Sequence, residues 1–298
     1  MSRSRPAEGL TRGQVRSAYL AACRAELQAL KPGNVHVFAA GHGMSIADFE
    51  TSALASAGAL SDPALPVGER ILRAVRRSRR AVGCNTNLGI LLLAAPLAAA
   101  AQGGRGSDLR RRLRLVLGRL GRDDAAAVFR AISLANPGGL GEAKRHDVRQ
   151  APRVTLLTAM AEARRRDRIA GQYASAYGDV FRTGLARLSV ALSRWGEGPA
   201  AASAVYLAFL GGFPDSHIRR KFGLAVARSI CRQAGDLDRR LMREGLSRAL
   251  EKRLLKFDAE LKAAGVNPGT SADLTVATLF AASLQRELSA VAENPQSL

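Results

Sequence analysis

Apolar residues recur along this chain at the three- and four-residue spacing of amphipathic helices, and no useful length of strand-like alternation appears. Ala18, Ala21, Ala22, Leu27 and Leu30 mark the buried face of a helix over 11–30, which Lys31-Pro32-Gly33-Asn34 stops. Ser45 with Asp48 reads as a capping box opening a helix that reaches residue 60, and Pro63 and Pro66 punctuate the chain before a helix over 67–82. The segment 90–101 is apolar all round, as a buried central helix must be. A Gly103-Gly104-Arg105-Gly106 link separates it from helices over 109–120 and 123–135; another spans 155–170 and continues through Tyr173 to Phe181. The pattern closes with a buried small-residue helix at 200–210, a helix at 222–233, one long surface helix over 237–264 and an apolar helix over 272–292. These segments predict an all-α fold: a single large multi-helix bundle over 1–298, with any site at the inter-helix loops.

Composition sharpens this picture. Hydrophobic residues make up 47% of the chain and aromatics only 5%, which favours close helix packing on Ala and Leu over an aromatic-rich sandwich. Forty-five Lys and Arg against 25 Asp and Glu leave a net charge of +20, a surplus that suits an anionic partner or a solvated basic surface. Cys23, Cys84 and Cys231 form no paired spacing, so the expected setting is a reduced cytoplasm. Apolar sequence does not follow the basic Met-Ser-Arg-Ser-Arg start, and the longest apolar run, 90–101, is too short to span a bilayer and contains Pro96, so no membrane partner is expected.

The residues that ligate and hydrogen-bond are kept for the joints. All four histidines (His36, His42, His146 and His217) and five of the six asparagines (Asn34, Asn85, Asn87, Asn136 and Asn267) lie between the helical stretches. No phosphate-binding P-loop, dinucleotide fingerprint or serine-triad motif is present. Candidate groups are Lys31 with Asn34 beside a Pro-Gly turn, His42 between two glycines, and Asn85 with Thr86 ahead of the central helix, where Thr86 is equally a natural N-cap. In Asp215–Lys221, a helix start would put His217 and Lys221 on one face with Arg220 beside them. Asp215 is equally an N-cap there, and Thr270 with Asp273 reads as a second capping box, which assigns Asp273 to capping.

Read together, seven segments make the chain resemble the triphosphoribosyl-dephospho-CoA synthase family, from Tyr19 to Leu284. They are Lys31-Pro-Gly-Asn-Val, Gly41-His42 with Met44 and Asp48-Phe49, Gly83-Cys-Asn-Thr with Gly89, and Gly139-Leu-Gly-Glu with His146-Asp147-Val148. Asp167 with Ile169-Ala170 and Tyr173, Pro214-Asp-Ser-His-Ile with Arg219 and Lys221, and Asn267-Pro-Gly-Thr-Ser-Ala-Asp-Leu complete the set. The resemblance implies a helical enzyme that joins the triphosphoribose of ATP to the hydroxyl of a dephospho-CoA-like acceptor and releases adenine. It implies that Lys31, Arg219 and Lys221 clamp phosphates, that Asn34, His42, Asn85, Thr86 and His217 bind the nucleotide, and that Asp215 is the general base, with Asp147 and Glu142 next. One of these three carboxylates would hold Mg²⁺ on the triphosphate.

His36 and Asn87-Leu88 depart from the citrate-lyase branch, which carries Asp at the first position and His-Lys at the second, so the chain resembles more a divergent branch of archaea and methylotrophic bacteria. A related nucleotide-dependent role in the synthesis of one-carbon carrier cofactors, of the methanopterin or methanofuran type, is one alternative. A basic nucleic-acid-binding protein is another, raised by a pI of 11.3 but opposed by few aromatics to stack bases. Small-molecule nucleotide and CoA-like substrates are the expected partners, and the chain is compatible with a homodimer.

Overall fold

The structure, a computed structural model, describes residues 9–103, 106–143 and 145–293; the Met-Ser-Arg-Ser-Arg start and two residues of the glycine-rich link, Gly104 and Arg105, lie outside the described residues. The helices are α1 (Arg12–Gln28), α2 (Ile46–Leu60), α3 (Val67–Val82), α4 (Leu88–Gln102), α5 (Leu109–Gly118), α6 (Arg122–Ala135) and α7 (Leu156–Ala163). They continue with α8 (Arg168–Ser175), a π-helical turn (Val180–Gly184), α9 (Leu185–Trp195), α10 (Pro199–Gly212), α11 (Ser216–Glu244), α12 (Arg248–Ala263) and α13 (Gly269–Glu293). No strand occurs among the described residues, so the fold is all-α, as the periodicity predicts. No described helix is long and apolar enough to cross a membrane.

Helix α4 is the axis of the packing, because Leu and Ala leave it no polar face, and it lies against α1, α3, α5 and α13. Pro96 sits inside it. Proline has no N–H, which orphans the Leu92 carbonyl four residues earlier. The Tyr173 hydroxyl donates to that carbonyl at 2.7 Å, and Tyr177 donates to the Leu93 carbonyl at 3.0 Å. Two buried tyrosines thus satisfy a helix that proline interrupts. Part of the basic surplus is similarly internal: Arg70 donates to the Leu65 carbonyl and Gln102, and Arg112 to the carbonyls of Ala101 and Gly106.

Several sequence expectations are corrected. The helix expected from 155 to 181 breaks where Asp167 accepts the Ala170 amide and restarts the chain as α8; Ala176 and Tyr177 then turn left-handed before the π turn. The segment after it forms α9, for which no helix was expected. The single helix expected over 237–264 is two, since Gly245 adopts φ 75° and Ser247 caps α12 through the Leu250 amide. The capping box expected of Ser45 and Asp48 is present. The one expected of Thr270 and Asp273 is not: α13 begins at Gly269, and the Thr270 hydroxyl pairs with Ser216 at 3.1 Å.

Candidate active site

Six stretches of chain converge on one cavity of about 480 Å³. The loop after α1 contributes Asn34 and His42, the start of α4 contributes Asn85, Thr86 and Gly89, and the loop after α6 contributes residues 136–143 and 146–148. The turn between α7 and α8 adds Arg166 and Asp167, the start of α11 adds His217, Arg220 and Lys221, and the start of α13 adds Asn267 and Asp273. Phe49, Ile90, Phe129, Ile132 and Met160 give the same cavity an apolar wall. It therefore suits a ligand with an anionic part and an apolar part.

Eight of the residues singled out from the sequence line this cavity: Asn34, His42, Asn85, Thr86, Glu142, Asp147, His217 and Lys221. Some of their polar atoms are already used. Asn85 Oδ1 accepts the Leu88 amide, taking the capping place expected of Thr86, whose hydroxyl turns to Ser52 instead. His42 Nε2 pairs with the Gly33 carbonyl at 2.8 Å. Asp147 takes the amides of Ala143 and Arg149 and both arms of the Arg149 guanidinium, which hold its carboxyl below the usual carboxylate range. It braces its loop and has no oxygen left for a metal.

Three expected residues do not line the cavity. Lys31 is buried behind it, with its ammonium on Glu26 and on Asn34 Oδ1 at 3.2 Å, so it clamps no phosphate. Arg219 points outward to the Arg165 carbonyl at 2.9 Å, and its neighbour Arg220 takes the cavity position. Asp215 is fully buried; its Oδ1 accepts the amides of His217 and Ile218, and its Oδ2 accepts the amide and hydroxyl of Ser271. One carboxylate caps α11 and ties α13 to it, and it leaves no lone pair for a proton transfer. The base role read onto Asp215 has no geometric support.

Elimination leaves a different carboxylate. Of the acids at the cavity, Glu26 is paired with Lys31, Asp147 with Arg149, and Asp167 with Arg220 at 2.6 Å. Glu142 is 86% exposed at the mouth, 3.4 Å from Arg149. Asp273 alone faces the interior with neither hydrogen bond nor ion pair among the described residues. Gly89 makes this possible, because a Cβ there would overlap the Asp273 carboxylate. The carboxylate thus rests against the first turn of α4, where the Gly89 and Ile90 amides have no intrahelical partner. Burial, with Asp215 and Glu26 nearby, holds its carboxyl well above the ordinary value. The sequence reading missed Asp273 by assigning it to a cap.

On the cationic side Arg166 and Lys221 have no acidic partner among the described residues, and Arg220 keeps a buried Nε without an acceptor. His217 packs its Nδ1 against Gly269, where a Cβ would stand 2.6 Å away. Burial, reinforced by Arg220 and Lys221, lowers its pKa to about 4, so the imidazole is neutral at physiological pH. The expected Mg²⁺ set of Asp147, Glu142 and Asp215 does not assemble, since two of its members are saturated. Among the described residues no group of three or more His, Cys, Asp or Glu is arranged to hold a metal.

Comparison with known proteins gives the chain a family. The sequence profile of the CitG family, ATP:dephospho-CoA triphosphoribosyl transferase, matches residues 12–291. A crystal structure from Archaeoglobus fulgidus, of a protein provisionally named triphosphoribosyl-dephospho-CoA synthase, is similar at a TM-score of 0.61 and 27% identity, over 78% of this chain and 96% of that one. No curated protein matches the sequence at a significant level.

Proposed function

Because this chain belongs to the ATP:dephospho-CoA triphosphoribosyl transferase family, we propose that the shared cavity is its active site. The enzyme transfers the triphosphoribosyl group of ATP to a dephospho-CoA-like hydroxyl. The bond from ribose C1′ to the adenine nitrogen breaks, a C1′–O bond forms, and the proton of the hydroxyl balances adenine release.

The observation that carries the assignment is the unpaired Asp273 carboxylate inside a cavity with a cationic edge. In our reading Asp273 takes the proton of the incoming hydroxyl. When ionised, Asp273 is a stronger base than an ordinary carboxylate, and in that form its charge stabilises the oxocarbenium character that develops at C1′. Arg166, Arg220 and Lys221 meet the triphosphate, a role that passes from Lys31 and Arg219. Asn85, Thr86 and neutral His217 supply uncharged contacts, Asn34 being held by Lys31 and Asn267, and the apolar wall receives adenine or the acceptor's arm. Any Mg²⁺ would arrive with the triphosphate rather than on a protein carboxylate set, since Asp147 and Asp215 are saturated and Glu142 pairs with Arg149. A cytoplasmic location, where ATP and CoA precursors are available, completes the reading.

Family membership favours this activity over a role in one-carbon carrier synthesis or nucleic-acid binding. The test is chromatographic: purified protein with ATP, Mg²⁺ and 3′-dephospho-CoA should release adenine in step with acceptor loss. Absence of free adenine under conditions where the protein is folded would reject the proposal.

A further inference from the structure

A chain of hydrogen bonds runs along the cavity floor from Glu26 through Lys31 and Asn34 to Asn267. Lys31, 1% exposed, donates to Glu26 and to Asn34 Oδ1; Asn34, 5% exposed, donates its Nδ2 to Asn267 Oδ1 at 2.8 Å. The direction of this chain is forced. A side-chain amide has an oxygen and a nitrogen of nearly the same shape, and only its partners decide which faces which. An ammonium has three N–H groups and no lone pair, so Asn34 can turn only its oxygen toward Lys31. That leaves Asn34 an N–H for Asn267, which must answer with its own oxygen. The group left over is the Nδ2 of Asn267. It has no partner among the described residues, and Asn267 is a half-buried residue lining the cavity.

We propose that Lys31 and Asn34 are positioning residues that fix the Asn267 amide as an N–H donor, and that this donor recognises a hydrogen-bond acceptor atom of the bound nucleotide. The proposal rests on the reading of the cavity as a nucleotide site. It gives the Lys31-Pro-Gly-Asn segment a role without a phosphate clamp. Lys31 does not reach the cavity, but its fixed donor character is handed on through two amides and emerges as a directional, uncharged group. The Glu26 partner keeps the buried ammonium from standing alone, at the cost of exposing no cation to the ligand. A free lysine in the same place would attract any anion; the amide instead discriminates acceptors from donors.

Two variants test it. Asn34→Asp replaces the relay amide with a group that can only accept, so Asn267 must turn its NH₂ toward position 34 and present oxygen to the cavity. Asn267→Asp removes the donor directly. In asparagine-labelled protein, the side-chain amide protons of wild-type Asn34 should be protected from exchange and those of Asn267 should exchange rapidly until ATP is added. In Asn34→Asp the Asn267 amide should become protected without ATP. Calorimetric titration should show ATP bound about 10- to 100-fold more weakly by both variants. KM for ATP should rise more than kcat falls, with melting temperatures close to wild type. The 1-, 3- and 7-deaza analogues of ATP then locate the acceptor: an analogue that loses affinity for wild type should lose nothing further for Asn34→Asp if the acceptor is that ring nitrogen, and all three should behave like ATP if it is a sugar or phosphate oxygen. Unchanged Asn267 exchange in Asn34→Asp overturns the relay, whatever ATP does. The expected inversion with unaltered ATP affinity in both variants overturns the recognition role. Inversion in a protein whose wild type binds no ATP rejects the nucleotide reading and upholds the direction of the relay.

Discussion

The Asp273 carboxylate occupies the space that a side chain on Gly89 would fill. Neither residue explains itself alone: the glycine opens the first turn of α4, and the acid fills the opening without acquiring a partner. Gly89→Ala must therefore displace the carboxylate. Expected results are a fall in adenine formation of at least about tenfold and a stability loss of about 1–3 kcal/mol from overpacking, read by steady-state assay and denaturant unfolding. Unaltered activity with an intact fold would separate Gly89 from the reaction.

Asp273→Asn should cost catalysis and add stability. Loss of a general base lowers the rate by about 100- to 10,000-fold. The folded state holds the Asp273 proton more tightly than the unfolded chain does. Its stability is therefore full at acid pH and declines as pH rises from the ordinary aspartate range through the raised folded value. Removing the titration should make the variant about 1–3 kcal/mol more stable than wild type at pH 8, with the difference shrinking toward pH 4. Thermal unfolding across that range checks the sign.

His217 produces the opposite slope. Its folded pKa is depressed to about 4 from an ordinary 6.5, so the unfolded chain takes up a proton first as pH falls. Its contribution is present above pH 6.5 and is lost between about 6.5 and 4, amounting to about 1–3 kcal/mol after allowance for its partial exposure. Chemical denaturation at pH 7 and pH 4.5 should show this loss in wild type and a smaller one in His217→Gln.

Tyr173→Phe should leave the Leu92 carbonyl beside Pro96 with only the longer contact from the Tyr177 hydroxyl, at 3.5 Å. Loss of the short buried donor costs about 1–3 kcal/mol, visible as a lowered denaturation midpoint. Activity at saturating substrate should be nearly unchanged, because the hydroxyl meets α4 backbone rather than the cavity.

The bundle was legible because Ala and Leu repeat at helical spacing, and α2, α3 and α6 have close to the boundaries their caps and turns announce. Helix α9 was not legible, since Val190 and Leu192 face outward and blur the pattern set by Leu188 and Ala191. The break at Gly245-Leu-Ser247 carried a visible signature, a glycine stop followed by a serine cap, inside a charged run that reads as continuous. At the site, the loops that converge were recognisable from their polar residues, but their division of labour was not. Glu26 lies five positions before Lys31 and Arg149 two after Asp147, near enough to suggest pairing. Ser216 lies 54 positions from Thr270, and no local rule reveals that it takes the hydroxyl expected to cap α13 and leaves Asp273 to the cavity.

The most direct measurement is a crystal structure of the protein with ATP and Mg²⁺ bound. Triphosphate density is expected beside Arg166, Arg220 and Lys221, with ribose C1′ turned toward Asp273 and the Asn267 amide on an acceptor atom. Nucleotide bound instead on the exposed arginines of α3, with this cavity holding only solvent, would contradict it.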